Sequence, residues 1–246
     1  MLTALLADIH ANREALAACL ADAQARGVAR HVFLGDYVGY GAEPGWVVDT
    51  VMAHVAAGAT AILGNHDAAV FDRAVDLNDT ARITLDWTRD RLGAGQENFL
   101  RGLPLTAEAG DRLFVHASAW EPARWDYVTG PAAALRSFEA TQHQKTFCGH
   151  LHVPEVYHLG RTGKIASFIP AYGTGIPLIP QRRWLAVVGS VGQPRDGVPA
   201  ASYAVLDEER AMLTYVRAPY DVESAAAKVR AAGLPEVLAL RLLQGH

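Results

Sequence analysis

Short apolar runs recur along this chain, and helical patterns separate them in its first third. The runs at residues 2–7, 31–35 and 60–63 have the length of buried strands, and helices are predicted after Asn12 and from Pro44. Strands that alternate with helices of this size are typical of parallel strands joined by right-handed crossovers. The first third therefore predicts a parallel sheet.

The pattern becomes less regular after residue 70 and changes again after residue 150. Helices are predicted over 78–92, 95–102, 131–140, 221–232 and 235–242. Strands are predicted over 112–115, 145–148, 154–159, 163–169, 184–188, 202–207 and 211–217. Short strands punctuated by Pro and Gly indicate hairpins and antiparallel pairing in the last part. No Ser/Gly linker or charge run divides the chain, so we expect one domain over residues 1–246 with two sheets.

Five clusters of Asp, Asn and His each follow a predicted strand. Ligands of such sheets bind beyond the carboxyl ends of the strands, so we expect the clusters to converge. Any one of them alone is ordinary turn or cap chemistry, and the prediction rests on the ordered set. The candidate metal ligands are Asp8, His10, Asp36, Asn65, His116, His150 and His152.

Seven donors exceed the four that close a tetrahedral zinc site, and they suit two divalent ions with open positions for water. Mixed oxygen and nitrogen ligands accept Mn²⁺, Fe, Ni²⁺, Co²⁺ or Zn²⁺. Asp36 is expected to bridge the two ions, because a carboxylate has two oxygens.

The residue after Asn65 has a separate predicted role, because adjacent side chains diverge. We expect His66 to face the substrate and to donate a proton or a hydrogen bond to the leaving-group oxygen. Asp67 is expected to hold the His66 imidazole in one tautomer, as carboxylates behind catalytic histidines do. An alternative interpretation makes Asn65 a helix cap.

Composition narrows the class of protein. Half of the residues are hydrophobic and 20% are charged, which is typical of a globular protein. The net charge of −4 gives no reason to expect a nucleic-acid partner. Cys19 and Cys148 are predicted to be buried thiols, the first apolar run is too short for a signal peptide, and no run could span a bilayer. We expect a cytoplasmic enzyme with a small phosphorylated substrate and no membrane partner.

The polar clusters resemble the motifs of the calcineurin-like metallophosphoesterases. The matching runs are D-I-H-A-N, G-D-Y-V-G-Y-G, G-N-H-D, V-H-A-S and G-H-L-H, between Asp8 and His152. The run G-S-V-G-Q-P-R-D-G at 189–197 resembles a segment of the family's smaller phosphodiesterase-like members. The resemblance implies an α/β fold: a four-layer α/β/β/α sandwich of two mixed β-sheets flanked by helices.

The resemblance also implies a role for each polar residue. His66 would be the catalytic histidine, and Asp36 would bridge two metal ions. One ion would be held by Asp8, His10, Asp36 and His152. The other would be held by Asp36, Asn65, His116 and His150.

One departure from the family pattern bears on the substrate. Tyr40 stands where relatives that resemble phosphoprotein phosphatases or symmetrical dinucleoside tetraphosphatases carry Arg, and a Tyr cannot replace that charge. This favours hydrolysis of a phosphodiester, which has a single negative charge, by a metal-bridging hydroxide. The alternatives are a phosphomonoesterase or phosphoprotein phosphatase, a metal-dependent nuclease, and a non-catalytic binding module on the same fold.

Two further features have alternative interpretations. Arg195 is either a substitute cation for the phosphate or an exposed turn residue after Pro194. Trp120, Trp125 and Tyr127 either stack on a ring of the substrate or pack into the core.

Overall fold

Twelve strands and eight helices follow one another along residues 1–246, all of which the computed structural model describes. The strands are β1 Leu2–Leu6, β2 Arg30–Phe33, β3 Thr60–Ala61, β4 Thr106–Ala109, β5 Arg112–Val115, β6 Lys145–Cys148, β7 Glu155–Gly160, β8 Ile165–Phe168, β9 Gly175–Pro177, β10 Arg182–Val187, β11 Ala201–Asp207 and β12 Met212–Ala218. The helices are α1 Arg13–Ala25, α2 Pro44–Ala56, α3 Asn65–Phe71, α4 Asp79–Arg89, α5 Ala94–Arg101, α6 Pro131–Glu139, α7 Val222–Ala231 and α8 Glu236–Gln244. A short 3-10 helix covers Pro122–Arg124.

The strands form two six-stranded sheets, and both are mixed. The first sheet has the order β3-β2-β1-β11-β12-β9, in which β3, β2 and β1 are parallel and the other pairs are antiparallel. The second sheet has the order β4-β5-β6-β10-β7-β8, with β5, β6 and β10 parallel. Each sheet therefore contains three adjacent parallel strands.

Alternating side chains show which face of each strand packs against which layer. In β1, Ala4 and Leu6 join the core under the outer helices, whereas Leu5 joins the core between the two sheets. In β10, Trp184 faces the core between the sheets and Leu185 faces the core shared with α6. These faces give four layers, helices–sheet–sheet–helix, and confirm the predicted α/β/β/α sandwich.

The predicted helices and their N-terminal signals are largely confirmed. The side chain of Asn12 accepts a hydrogen bond from Ala15 N at 3.1 Å, and Asn78 accepts one from Ala81 N at 2.9 Å. Asn65 is the first residue of α3 rather than its cap, because Gly64 holds the cap position. Cys19 and Cys148 are buried free thiols, as predicted.

The sequence pattern missed β4, β9 and the short 3-10 helix. Strand β4 is four residues long and reads Thr-Ala-Glu-Ala, of which only Thr favours strands, and it pairs only through its hairpin with β5. The expectation of purely antiparallel pairing after residue 150 was wrong for β10. That strand lies parallel to β6 and antiparallel to β7, because it inserts between them.

None of the eight helices has the length and apolar character needed to cross a membrane.

The loop after β10 docks tightly against the loop after β1. Val191 N donates to Ala7 O at 2.9 Å, and Gly192 N donates to Asp8 O at 2.8 Å. Asn12 Nδ2 donates to Gly192 O at 2.9 Å. A Cβ atom on Gly192 would lie 1.7 Å from Ile9 O, so only glycine permits this approach.

Replacing Gly192 therefore tests how much the fold depends on this contact. We expect Gly192→Ala to lower the free energy of unfolding by about 1–3 kcal/mol, because the new methyl group must displace backbone. Gly95→Ala is the matched control, since a Cβ there meets nothing within 4 Å. It should leave stability unchanged or raise it by about 0.4–1 kcal/mol. Urea denaturation measures both, and equal stability of the two variants would contradict the role assigned to Gly192.

Candidate metal centre

The ends of five parallel strands bring all seven predicted ligands together. Asp8 and His10 follow β1, Asp36 follows β2 and Asn65 follows β3. In the second sheet, His116 follows β5, and His150 and His152 follow β6. All seven are buried. The sandwich therefore encloses a cluster of carboxylate, amide and imidazole groups at one end of both sheets.

The first group of donors comprises Asp8, His10, Asp36 and His152, whose candidate ligand atoms all lie within 4.8 Å of one another. Nε2 of His10 is 3.1 Å from Nε2 of His152. Nε2 of His152 is 3.6 Å from Oδ1 of Asp8. Such a group of two oxygens and two nitrogens can hold one divalent cation.

The second group comprises Asp36, His116 and His150, again within 4.8 Å of one another. Nε2 of His116 lies 3.1 Å from Nδ1 of His150 and 3.1 Å from Oδ1 of Asn65. Asn65 thus adds a neutral oxygen to this group. The division into two groups that share Asp36 is the one that the family resemblance implies.

Asp36 turns a single oxygen toward both groups. Its Oδ2 is 3.7 Å from His10 Nε2 and 3.4 Å from His116 Nε2. Its Oδ1 accepts a hydrogen bond from the backbone N–H of His66 at 2.9 Å. The sequence did not indicate which oxygen faces the donor groups, and the structure shows that α3 occupies Oδ1 and leaves Oδ2 to face both positions.

Backbone carbonyls fix the rings of three histidines. Nδ1 of His10 lies 3.0 Å from Val38 O, and Nδ1 of His116 lies 2.7 Å from Leu34 O. Nδ1 of His152 lies 2.7 Å from Gln193 O. A carbonyl oxygen only accepts, so each Nδ1 carries the proton and each Nε2 presents a lone pair to the centre.

This arrangement of donors fits a cation. The Nε2 lone pairs of His10 and His152 face each other at 3.1 Å with no hydrogen between them. Burial lowers the pKa of His150 to about 3, which keeps its ring neutral and able to bind metal. Burial raises the pKa of Asp8 to about 8, because a second carboxylate and no water surround it. A divalent cation relieves both conflicts, since it binds the lone pairs and favours ionised carboxylates.

The pKa values of His116 and Asp36 also indicate that the centre favours a positive charge. Burial would lower the pKa of His116, but the carboxylate of Asp36 outweighs it and raises the pKa to about 9. Burial would raise the pKa of Asp36, but His116 and His66 outweigh it and hold the pKa well below its usual range. The centre thus attracts a positive charge, and ionised Asp36 is the group that holds it.

Five of the seven ligands have backbone angles in the left-handed region. Their φ values are Asp8 53°, His10 49°, Asp36 57°, His150 67° and His152 64°. Non-glycine residues rarely adopt such angles, and each costs roughly 1–3 kcal/mol. This strain is concentrated where the strands end and turns consecutive side chains toward one point.

Glycines beside the ligands allow the loops to approach each other. A Cβ on Gly64 would lie 2.3 Å from Asp36 Oδ1, and a Cβ on Gly149 would lie 2.6 Å from Asp8 Oδ2. The motifs G-N-H-D and G-H-L-H therefore require glycine at their first position, because a side chain there would collide with a carboxylate of the neighbouring loop.

The structure corrects the role predicted for Asp67. Its Oδ2 accepts hydrogen bonds from Asp36 N at 2.7 Å and Gly64 N at 3.0 Å. Its Oδ1 accepts from Tyr37 N at 2.8 Å and Val38 N at 3.3 Å. Asp67 makes no hydrogen bond to His66, because its position in α3 points it back at the loop after β2. It fixes the loop that carries the bridging carboxylate.

His66 lies beside the first donor group without joining it. Its ring centre is 4.8 Å from that of His10 and 4.7 Å from that of Tyr40. Its Nδ1 is buried and has no hydrogen-bond partner. A Cβ on Gly39 would lie 2.3 Å from this Nδ1, so Gly39 leaves room for the ring. The ring lines a cavity in front of the centre, as the sequence predicts.

The cavity has a volume of about 490 Å³ and an aromatic wall. Tyr127 stacks on His150 with ring centres 4.0 Å apart, and Trp125 meets His116 edge-on at 5.9 Å. Trp120 does not line the cavity, since Arg124 and Arg136 cover its ring at 5.0 Å each. Of the three aromatic residues considered for stacking on the substrate, only Trp125 and Tyr127 therefore line the cavity.

Sequence reasoning missed the acidic side of this cavity. Asp72, Asp76 and Asp126 line it, and Arg124 is its single Arg or Lys. Arg124 itself lies near the carboxylates of Glu121 and Asp126, at 3.4 and 3.6 Å. These acidic residues lie on two loops with no shared motif, so no signal in the sequence marks them.

Comparison with known proteins agrees with this geometry. The sequence matches the family model described as the calcineurin-like phosphoesterase superfamily domain over residues 1–211. A metallophosphoesterase from Sphaerobacter thermophilus, known as a crystal structure, is 35% identical with a TM-score of 0.88, over 100% of this chain and 99% of that chain. An uncharacterised protein of Methanocaldococcus jannaschii is 34% identical over 99% of this chain and 98% of its own length. A hypothetical protein from Pyrococcus horikoshii OT3 shares 20% identity and the fold, with a TM-score of 0.75, over 100% of this chain and 98% of that chain.

Asp67 offers a test of how the centre is built. Burial raises the pKa of Asp67 to about 8, although its amide hydrogen bonds oppose the rise. Asp67→Asn places an NH₂ group against backbone N–H donors. We expect the free energy of unfolding to fall by about 2–3 kcal/mol. Affinity for metal should fall about 10–100-fold, because the loop carrying Asp36 loosens.

Asp221→Asn is the control for this prediction. Asp221 caps α7 through Ser224 N, and Asn caps a helix equally well, so stability should change little. Denaturation and metal titration measure both variants. Wild-type stability and metal affinity in Asp67→Asn would contradict the role given to Asp67.

Proposed function

The chain belongs to the calcineurin-like phosphoesterase superfamily, and from this premise we propose that it hydrolyses a small phosphodiester with two divalent metal ions. The observation that carries the proposal is the pair of donor groups that share Asp36. Asp8, His10, Asp36 and His152 would hold one ion, and Asp36, Asn65, His116 and His150 the other. When bound, two such ions lower the pKa of a water molecule and neutralise phosphoryl oxygens.

The residues around the ions would position the substrate and donate a proton to the leaving alcohol. His66 lines the cavity beside the first donor group, so it is placed to donate a proton or hydrogen bond to the departing alcohol. Asp67 takes no part in that transfer and instead fixes the loop of Asp36. Trp125 and Tyr127 form a wall against which the organic part of the ester packs.

Charge around the cavity supports a small substrate with few phosphates. Asp72, Asp76 and Asp126 repel additional anionic groups, which disfavours nucleic acid and polyphosphates. Arg182 and Arg183 are adjacent cations that could serve a nuclease, but they lie at the start of β10, whereas the predicted metal ligands follow the ends of strands. A diester fits best, because its single negative charge is repelled least by these three carboxylates. Free buried thiols are consistent with a cytoplasmic location.

Metal reconstitution tests the activity directly. The protein is stripped with a chelator, reloaded separately with Mn²⁺, Fe²⁺, Ni²⁺, Co²⁺ or Zn²⁺, and assayed on bis-p-nitrophenyl phosphate and p-nitrophenyl phosphate. We expect the stripped protein to be inactive and at least one reloaded form to prefer the diester. Preference for the monoester would instead establish a phosphomonoesterase, and inactivity on both esters would favour a binding module.

His66 and Asp36 should respond differently to substitution. We expect His66→Gln to lower kcat about 10²–10⁴-fold with full metal content, because it removes a proton donor that binds no ion. Asp36→Asn should abolish turnover and lower metal content, because Asp36 belongs to both donor groups and would be a ligand of both ions. Metal analysis beside steady-state kinetics separates the two effects. Loss of metal from His66→Gln would show that the roles are not separate.

A further inference from the structure

The loop that follows β10 brings Arg195 to the edge of the metal centre. Arg195 N donates to His152 O at 3.3 Å. Two residues earlier, Gln193 O accepts from Nδ1 of His152 at 2.7 Å. The same loop therefore orients a predicted ligand and carries an Arg side chain. Arg195 is partly buried, so it is not the freely exposed turn residue of the alternative interpretation.

Neutral groups hold the guanidinium of Arg195. Its Nε and Nη2 donate to Gln193 Oε1 at 3.3 and 2.8 Å. Its Cζ lies 5.8 Å from the ring centre of Tyr40, a cation–π distance. It forms no salt bridge with any carboxylate. By contrast, the partly buried side chains of Arg89, Arg112 and Arg217 each pair with a carboxylate. Arg183, also partly buried, donates to the backbone carbonyls of Thr141 and His143 instead, so Arg195 stands out through its place beside the donor groups.

The guanidinium of Arg195 lies close to the first donor group and to His66. The ring centre of Tyr40 lies 4.7 Å from the ring centres of both His10 and His66. The single aromatic ring of Tyr40 therefore links the guanidinium of Arg195 to the first donor group and to His66, the candidate proton donor. A fixed cation without an acidic partner beside an anion-binding centre is suited to bind an anion.

We propose that Arg195 is a substrate-binding residue, whose guanidinium donates to a non-bridging phosphate oxygen and is held for that purpose by Gln193 and the face of Tyr40. The proposal rests on the proposed function, since it assumes that phosphate binds at the centre. Arg195 supplies the positive charge that Tyr40 does not. As the attacking oxygen adds, negative charge on the non-bridging phosphoryl oxygens would increase, so the contact with Arg195 would strengthen and favour the transition state.

Binding of inorganic phosphate to the metal-loaded protein tests this role without requiring turnover. Calorimetry on wild type, Arg195→Met and Arg195→Lys gives the dissociation constants, and metal analysis verifies loading. We expect Arg195→Met to weaken phosphate binding about 10–100-fold with metal content unchanged. The phosphate affinity of Arg195→Lys should lie between those of wild type and Arg195→Met, because Lys keeps the charge but lacks the planar guanidinium group. With bis-p-nitrophenyl phosphate, Arg195→Met should also show a lower kcat/KM.

Arg13→Met is the matched control. Arg13 also lies over an aromatic ring, Trp46, at 5.0 Å, and its loss changes the net charge equally. Unlike Arg195, it makes no hydrogen bond with a candidate metal ligand and pairs with Glu43 at 3.2 Å, so phosphate binding should stay within about twofold of wild type. The proposal is wrong if Arg195→Met binds phosphate as wild type does, if it weakens binding no more than Arg13→Met, or if it loses metal. Wild type that binds phosphate but cleaves no ester would refute the proposed function and leave the role of Arg195 intact.

Discussion

Seven polar side chains share one water-poor volume at the end of the sandwich, and their mutual repulsion constrains everything around them. Two carboxylates and several imidazole lone pairs converge there, and none has room for a shell of water. Burying such groups without a counter-charge costs far more than a protein's net stability. The arrangement is stable only if positive charge enters it, either as protons on groups such as His116 or as metal ions. Metal ions in place of protons would make this cluster the reactive centre of the proposed function.

The backbone around the cluster adopts strained angles, and hydrogen bonds to its amides compensate for this strain. Five ligands adopt left-handed angles, and each such residue is unfavourable by itself. Hydrogen bonds to backbone amides compensate: Asp67 binds four N–H groups, and both oxygens of Asp8 accept from His150 N at 3.0 and 2.9 Å. These bonds tie the loop of one strand to the loop of another. Consequently, hydrogen bonds within the protein position the predicted ligands, which favours a fixed reaction geometry.

The ligands could be predicted from the sequence because each one directly follows a strand, and strand ends meet at a sheet edge. The same logic failed for Asp67, since adjacency in sequence does not tell which way a side chain points in the first turn of α3. It failed also for the choice of oxygen on Asp36, which depends on the amide of His66. The acidic wall was unpredictable, because Asp76 and Asp126 meet only through packing of distant loops. Strands β4 and β9 lack the pattern that burial imposes on longer strands.

The distribution of charge around the cavity explains how a strongly cationic centre can remain selective. Metal ions attract every phosphate, so attraction alone separates substrates poorly. Here the groups that favour an anion lie at the donor groups and Arg195, whereas Asp72, Asp76 and Asp126 lie on the cavity wall. A substrate with one phosphate meets only the favourable side. A substrate with further phosphates must place one of them against carboxylates. In the proposed function, selectivity for a singly charged ester would then arise from repulsion at the wall rather than from weaker binding at the centre.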